Sequence, residues 1–302
     1  MQLSLLACVI LATTLLSACT STPPSTTIPP ANPPPMTTSW QTSSWQTSID
    51  CSAGEILADG VCIAYTWTGK NIDLFTQVIG KTVTGVTLSE WDLRGYYVEP
   101  TDSGSYPGVV MIHEWWGLNN NIEYMADLLA QSGYKVLAID LYGEVTTDQA
   151  KAQELSTKVR TNSGAAIKSM QLAIDYLKDR ENVTKIGTLG WCFGGGQSLN
   201  ISLGTPVDAT VIYYGNLSED TAQLARLKWP VLGIFGDKDT SIPLEKIDLF
   251  RKNLADLDKE NNIYVYPGLG HAFANPSWAN YAPGETVDAW DKTMRFLADN
   301  LK

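Results

Sequence analysis

Lys185-Ile186-Gly187-Thr188-Leu189-Gly190 runs into Trp191-Cys192-Phe193-Gly194-Gly195, and the join between them decides the fold. The first half reads as a short buried strand, and from Gly194 to Leu203 the pattern turns helical. Between them stands glycine-x-cysteine-x-glycine, the pattern of a nucleophile mounted on a sharp strand-to-helix turn. The glycines have a steric reason, because side chains at the flanking positions would collide with the strand and the helix. Such a turn lifts the sulfur of Cys192 above the sheet. The helix N-terminus behind it favours negative charge, and the backbone N–H of Phe193 points to where an oxyanion would form. The same residues also fit a glycine-rich turn around a buried, inert cysteine, so the assignment needs partners elsewhere in the chain.

Outward from this join, short β-branched runs alternate with helical periodicity. Strands are expected at Gly108–His113, Lys135–Leu141, Ala209–Tyr214, Val231–Phe235 and Ile263–Tyr266. Helices are expected at Asn121–Gln131, Ala165–Leu177, Pro243–Leu257 and Val287–Leu301. On the first helix Ile122, Met125, Leu128 and Leu129 share one face. This alternation implies an α/β domain, with a mostly parallel sheet covered by helices on both faces. Ligands of such sheets bind at the carboxyl ends of the strands. Val83–Leu88 and Leu93–Val98 are expected to form an antiparallel edge.

The chain has 2 histidines, which narrows the search for a base. His271 stands in Gly268-Leu269-Gly270-His271-Ala272-Phe273, in a loop after the last expected strand. A loop histidine between glycines has little packing role, and a general base placed last in chain order fits the turn-mounted nucleophile. His113 ends a buried strand beside Glu114 and is expected to be a hydrogen-bonded core group lining the site. The acid that orients the imidazole should lie between Cys192 and His271. Phe235-Gly236-Asp237-Lys238-Asp239-Thr240-Ser241-Ile242-Pro243 offers two candidates. Asp239 is the better one, because the turn Gly236-Asp237-Lys238 is expected to use Asp237 in backbone capping.

These stretches, together with Ile112-His113-Glu114-Trp115-Trp116-Gly117-Leu118-Asn119, resemble the dienelactone hydrolase family of the α/β-hydrolase superfamily. The resemblance runs from about Thr87 to the C-terminus, with the motifs in order. It implies an α/β-hydrolase fold and a hydrolase cleaving small esters or lactones through Cys192, His271 and Asp239, by way of a thioester. It further implies that Glu114 contacts the nucleophile, holding the thiol neutral at rest and accepting its proton when substrate binds. By the same resemblance Trp115 supplies the second oxyanion N–H, and Trp116, Trp191 and Phe193 wall the pocket, unless these aromatic rings simply fill core. The best-studied type of the family grips a substrate carboxylate with arginines. Here Asn275 stands four residues after the histidine, and no arginine occurs between Leu141 and Val159, so a neutral ester or lactone fits better than an anionic dienelactone. Two other functions share these motifs: an acyltransferase working through the same thioester, and a non-catalytic surface binding protein on the same fold.

The N-terminal quarter reads differently. Leu3–Leu16 is apolar and too short to span a bilayer comfortably. It ends in Leu16-Ser17-Ala18-Cys19, which resembles the bacterial lipobox, although Met1–Leu6 lacks the usual Lys or Arg. Residues 1–18 are therefore expected to be a lipoprotein signal peptide and Cys19 the lipidated residue, giving an exported, membrane-anchored protein. A plain cleaved signal and a retained anchor helix are the alternatives. Residues 19–50 read as a Pro/Thr/Ser-rich linker, ending in a Trp-Gln-Thr-Ser near-repeat that could also touch glycan. Residues 51–70 read as a small loop closed by Cys51 and Cys62. A bridge closing such a loop contributes about 3 kcal/mol in the chain-entropy model, the alternative being two unpaired thiols. Of the 5 cysteines, Cys8 leaves with the signal, Cys19 carries lipid and two pair, so Cys192 remains as the free thiol of the 71–302 domain. The net charge of -11, with no Lys/Arg cluster, argues against nucleic acid as a partner. No cofactor or metal motif is visible, and the expected ligand is a small ester or lactone.

Overall fold

The computed structural model describes residues 55–58, 61–64, 83–88 and 93–302 apart from 182 and 184. The signal segment with Cys19, the linker, Cys51 and the side chain of Cys62 lie outside the described residues. Within the cysteine-loop segment, β1 (Glu55–Ala58) and β2 (Val61–Ala64) pair antiparallel, with Ala58 opposite Val61.

The main sheet is built from β3 (Val83–Leu88), β4 (Gly95–Pro100), β5 (Gly108–Ile112), β6 (Lys135–Ile139), β7 (Ile186–Trp191), β8 (Ala209–Tyr213), β9 (Val231–Gly236) and β10 (Asn261–Tyr266). Its order is β10-β9-β8-β7-β5-β6-β4-β3. The expected antiparallel edge is β3 on β4, and β4 also runs antiparallel to β6; every pairing from β6 through β10 is parallel. The helices are α1 (Asn120–Gln131), α2 (Gln149–Thr161), α3 (Ser163–Glu181), α4 (Phe193–Ser202), α5 (Thr221–Leu224), α6 (Leu244–Asp256) and α7 (Pro283–Leu301).

Strand burial explains why the sequence reads as it does. β5, β7, β8 and β9 are buried at every position, as continuous apolar runs covered on both faces should be. Alternate residues of β5 enter different cores: Val109 and Met111 join α1 and α7 residues such as Leu129 and Leu297, while Val110 and Ile112 join Met170, Ala173 and Leu177 of α3. Each such buried side chain contributes about 1.5–3 kcal/mol, which makes the strand ends firm platforms. β10 lies at the sheet edge and alternates between partly buried and exposed positions.

Two helices were not expected from periodicity. In α2 only Ala152, Leu155 and Ser156 are buried, so its apolar stripe is too thin to register; Asp148 caps it, accepting the Lys151 N–H at 2.7 Å. α5 is a four-residue turn capped by Asp220. α4 opens with a run of glycines and depends on tertiary support. Behind it a buried hydroxyl chain links Ser198 to Thr188 (2.9 Å) and Thr210 to Ser202 (2.7 Å), tying the helix to β7 and β8.

Candidate active site

The sheet order converts chain distance into proximity. β5, β7, β8, β9 and β10 are parallel, so the residues that follow them, Glu114, Cys192, Tyr214, Asp239 and His271, all emerge at one end of the sheet. Cys192 follows β7, at the centre of the sheet, with φ 53° and ψ −116°. This left-handed backbone is unfavourable for a residue with a Cβ, at about 1–3 kcal/mol. Its surroundings hold it there: the Cys192 N–H donates to the Tyr213 carbonyl at 3.0 Å, and the first α4 turn closes from Gly196 N–H to the Cys192 carbonyl at 3.2 Å. A Cβ on Gly190 would lie 2.2 Å from the Gly194 carbonyl oxygen, and one on Gly194 would lie 2.2 Å from that of Ile112. The flanking glycines are thus required by close backbone approach.

Three expected partners converge. His271 Nε2 lies 3.1 Å from Cys192 Sγ, and His271 Nδ1–H donates to Asp239 Oδ2 at 2.7 Å. The other Asp239 oxygen accepts the N–H groups of Ser241 (2.7 Å) and Ile242 (3.0 Å), and the side chain is fully buried. The carboxylate is therefore fixed by two backbone donors before it orients the imidazole. Burial works against a charge on His271, but the hydrogen bonds and charges of Asp239 and Cys192 outweigh it and raise its pKa to about 10. The arrangement favours a proton on the imidazole. Asp237 takes a backbone role, as expected, but not within its own turn: its Oδ1 accepts Gly268 N–H at 2.6 Å and so ties the β9 loop to the loop carrying His271.

Glu114 departs from the arrangement the resemblance implies. Its carboxyl is bonded not to the thiol but to Tyr214, whose hydroxyl donates at 3.3 Å, and to the Asn275 side-chain amide. The physical reason is the occupant of position 275: its amide donates to Glu114 while its oxygen accepts Ser277 N–H at 2.8 Å, which leaves the thiol to His271. Burial raises the Glu114 pKa to about 7, against the opposing effect of the Tyr214 hydrogen bond, the His271 charge and the Asn275 hydrogen bond. His113 is buried as expected, but it sits behind the cavity rather than in its wall. Its Nδ1–H donates to the Glu114 carbonyl at 2.7 Å and its Nε2 accepts Leu141 N–H at 3.2 Å, which sets a neutral tautomer. Its ring stacks on Phe193 at 5.7 Å.

Above these groups lies a cavity of about 610 Å³, in the range of small-molecule sites. Trp116, Phe193 and Asn275 line it; Trp191 does not, packing instead on Tyr213 in the core with ring centroids 5.4 Å apart. Neither the Trp115 nor the Phe193 backbone N–H donates to an acceptor among the described residues. Sequence reasoning missed several wall residues. Tyr214 carried a usable signal, since it directly follows a buried strand at the functional end of the sheet. Arg160 and Gln153 belong to the unforeseen α2, and Arg160 lies 5.7 Å over the Phe193 ring. An arginine thus reaches the wall from just beyond the stretch read as lacking one. Trp278 arrives on the loop after His271.

Known proteins share this fold. The sequence profile of the dienelactone hydrolase family matches residues 93–301. "Protein usf" of Aquifex pyrophilus is 30% identical over 219 residues, covering 69% of this chain and 94% of its own. A Synechocystis protein named "Putative carboxymethylenebutenolidase" is 28% identical over 246 residues, covering 75% of this chain and all (100%) of its own. The crystal structure of a dienelactone hydrolase-like promiscuous phosphotriesterase from metagenomic libraries superposes with a TM-score of 0.64 at 24% identity, over 74% of this chain and 100% of that one, a likeness of fold. Because the matched span takes in every parallel strand and each loop that brings Cys192, Asp239 and His271 together, the chain belongs to the dienelactone hydrolase family and is a hydrolase.

Proposed function

We propose that this hydrolase cleaves small carboxylic esters or lactones through a Cys192–His271–Asp239 triad and a thioester acyl-enzyme. The observation that carries the reading is the continuous hydrogen-bonded line from Sγ through the imidazole to a buried carboxylate, 3.1 Å and 2.7 Å long. His271 takes the thiol proton and the thiolate adds to the carbonyl carbon. The developing oxyanion accepts the Trp115 and Phe193 N–H groups, each worth a factor of about 100 to 1,000 in rate. The imidazolium then protonates the departing oxygen. Water, deprotonated by His271, splits the thioester to carboxylic acid and restores the thiol. The Glu114 oxygens are bonded by Tyr214 and Asn275, and the group in contact with Sγ is His271, which supports His271 as the acceptor of the thiol proton. Glu114 steadies the loop that bears His271.

Turnover of p-nitrophenyl acetate with trapping of the acyl-enzyme by mass spectrometry tests this scheme. Cys192→Ala is expected to abolish both turnover and the acetyl adduct, and full activity in that variant would defeat the scheme. Added alcohols diverting the acetyl group at the expense of acetate would favour an acyltransferase.

Export and lipid anchoring at Cys19 are part of the same proposal, supported by the apolar Leu3–Leu16 stretch and the Leu16-Ser17-Ala18-Cys19 sequence. Incorporation of labelled fatty acid by the full-length chain, lost in Cys19→Ser, tests it; equal labelling of both would refute it.

A further inference from the structure

The cavity over Cys192 has two chemically distinct linings. Trp115 and Trp116 from the loop after β5, and Trp278 from the loop after β10, form a run of indoles with centroids 5.1 Å and 5.8 Å apart, tilted 49° and 47°. All three are only partly buried. The Trp115 indole N–H donates to Ser156 at 3.1 Å, whereas those of Trp116 and Trp278 have no acceptor among the described residues. Large aromatic faces left open inside a cavity form a platform for a flat, partly apolar ligand.

The second lining consists of neutral amides. Gln197 is only 5% exposed, yet its Nε2 has no acceptor among the described residues, and its Oε1 receives only a 3.5 Å contact from Asn200. Asn216 commits its oxygen to Lys246 at 3.0 Å and leaves its Nδ2 without an acceptor among the described residues. The Gln197 amide nitrogen is open to the cavity, and an apolar acyl chain covering it would leave its hydrogen unpaired at a cost of about 1–3 kcal/mol, so Gln197 favours a polar ligand. The groups these amides leave free are N–H donors, which a hydroxyl oxygen can accept, and the same hydroxyl can donate to the weakly held Gln197 Oε1. The charges in the wall are few. Arg160 sits over Phe193, Glu114 is taken by Tyr214 and Asn275, and His271 belongs to the catalytic line.

A sugar ring has what both linings require, namely C–H faces to lie on indole and hydroxyl edges to bond amides. We propose that the substrate is a short-chain O-acyl ester of a neutral sugar, with the ring held between the Trp116–Trp278 run and Gln197, Asn200 and Asn216, and with the acyl carbonyl over Cys192. This rests on the ester-hydrolase reading above. The reaction balances within it: the Sγ–C bond forms as the C–O bond to the sugar breaks, the sugar hydroxyl leaves with the proton from His271, and water returns the acid and the thiol.

The test compares kcat/KM of the full chain for a mono-O-acetyl methyl xyloside with that for cyclohexyl acetate, a ring of similar size without hydroxyls, and for phenyl acetate. The sugar ester is expected to be preferred over cyclohexyl acetate at least tenfold. Trp116→Ala and Gln197→Leu should each collapse that ratio, chiefly through KM for the sugar ester. Asn216→Ala, at an exposed position, gives a smaller reduction and remains informative should Gln197→Leu fail to fold. If no ester is turned over, the hydrolase reading itself fails. If phenyl and cyclohexyl acetates are cleaved and the sugar ester is no better, the hydrolase stands and the sugar assignment is overturned. The sugar assignment falls equally if the ratio survives these substitutions, or if an ester bearing a carboxylate is preferred in an Arg160-dependent way.

Discussion

Two carboxyl groups are buried in this site, and they are held in opposite ways. Asp239, in the loop after β9, receives three N–H donors, two from its own loop backbone and one from an imidazole that can carry positive charge. Glu114, in the loop after β5, receives one phenol hydroxyl and one amide, both neutral. The two differ in their donors: backbone N–H groups and the imidazole bond Asp239 directly, and among the described residues neither bonds Glu114. Burial lifts the Glu114 pKa to about 7. One loop therefore holds a carboxyl bonded to the imidazole, and the other holds a carboxyl whose bonds join loops far apart in the chain.

That contrast can be broken most forcefully at Asp239. In Asp239→Asn the amide cannot match both the two backbone N–H donors and the imidazole N–H, and the wrong tautomer of His271 is favoured. The expected loss in kcat/KM on p-nitrophenyl acetate is on the order of 10⁴-fold; a loss below tenfold would remove Asp239 from the triad.

Glu114→Gln sharpens the comparison through stability. Below about pH 4.5 the carboxyl is protonated whether the chain is folded or not. Above that, the unfolded chain ionises freely while the fold retains the proton up to about pH 7, so stability is lost as pH rises through this window. The shift from 4.5 to about 7 corresponds to about 3 kcal/mol for this buried group. Urea midpoints at pH 4.5 and pH 8 should show Glu114→Gln gaining on the parent protein by up to that amount. A constant offset across the window would mean that Glu114 ionises as easily inside the fold as outside it.

The smallest effect is expected two residues before the triad acid. Asp237→Asn keeps an oxygen to accept Gly268 N–H, so kcat/KM should stay within about twofold and stability within about 0.5 kcal/mol. A large rate loss there would exchange the roles of the two aspartates.

Much of this architecture was legible in the chain itself. The buried parallel strands announce themselves as continuous apolar runs, because both faces are covered and no position needs to be polar. β10 was placed by its Ile263–Tyr266 end, although it begins at Asn261, since an edge strand alternates. α2 escaped notice because three buried positions in thirteen residues leave almost no periodic signal. The convergence of Cys192, His271 and Asp239 was legible because strand-to-helix turns between glycines, loop histidines between glycines and aspartates after strands each have a local steric or hydrogen-bonding cause that leaves a local trace.

The order of residues was thus enough for the α/β class, the strand-to-helix turn at Cys192 and the identity of its two partners, since those depend on short-range geometry and on the succession of elements. Three-dimensional packing was needed to settle that Glu114 bonds Tyr214 and Asn275 instead of the thiol, that Trp191 turns into the core, and that α2 brings Arg160 to the cavity. Those outcomes depend on which side chains reach one another across loops up to 161 residues apart, a matter of register and packing that no local pattern encodes.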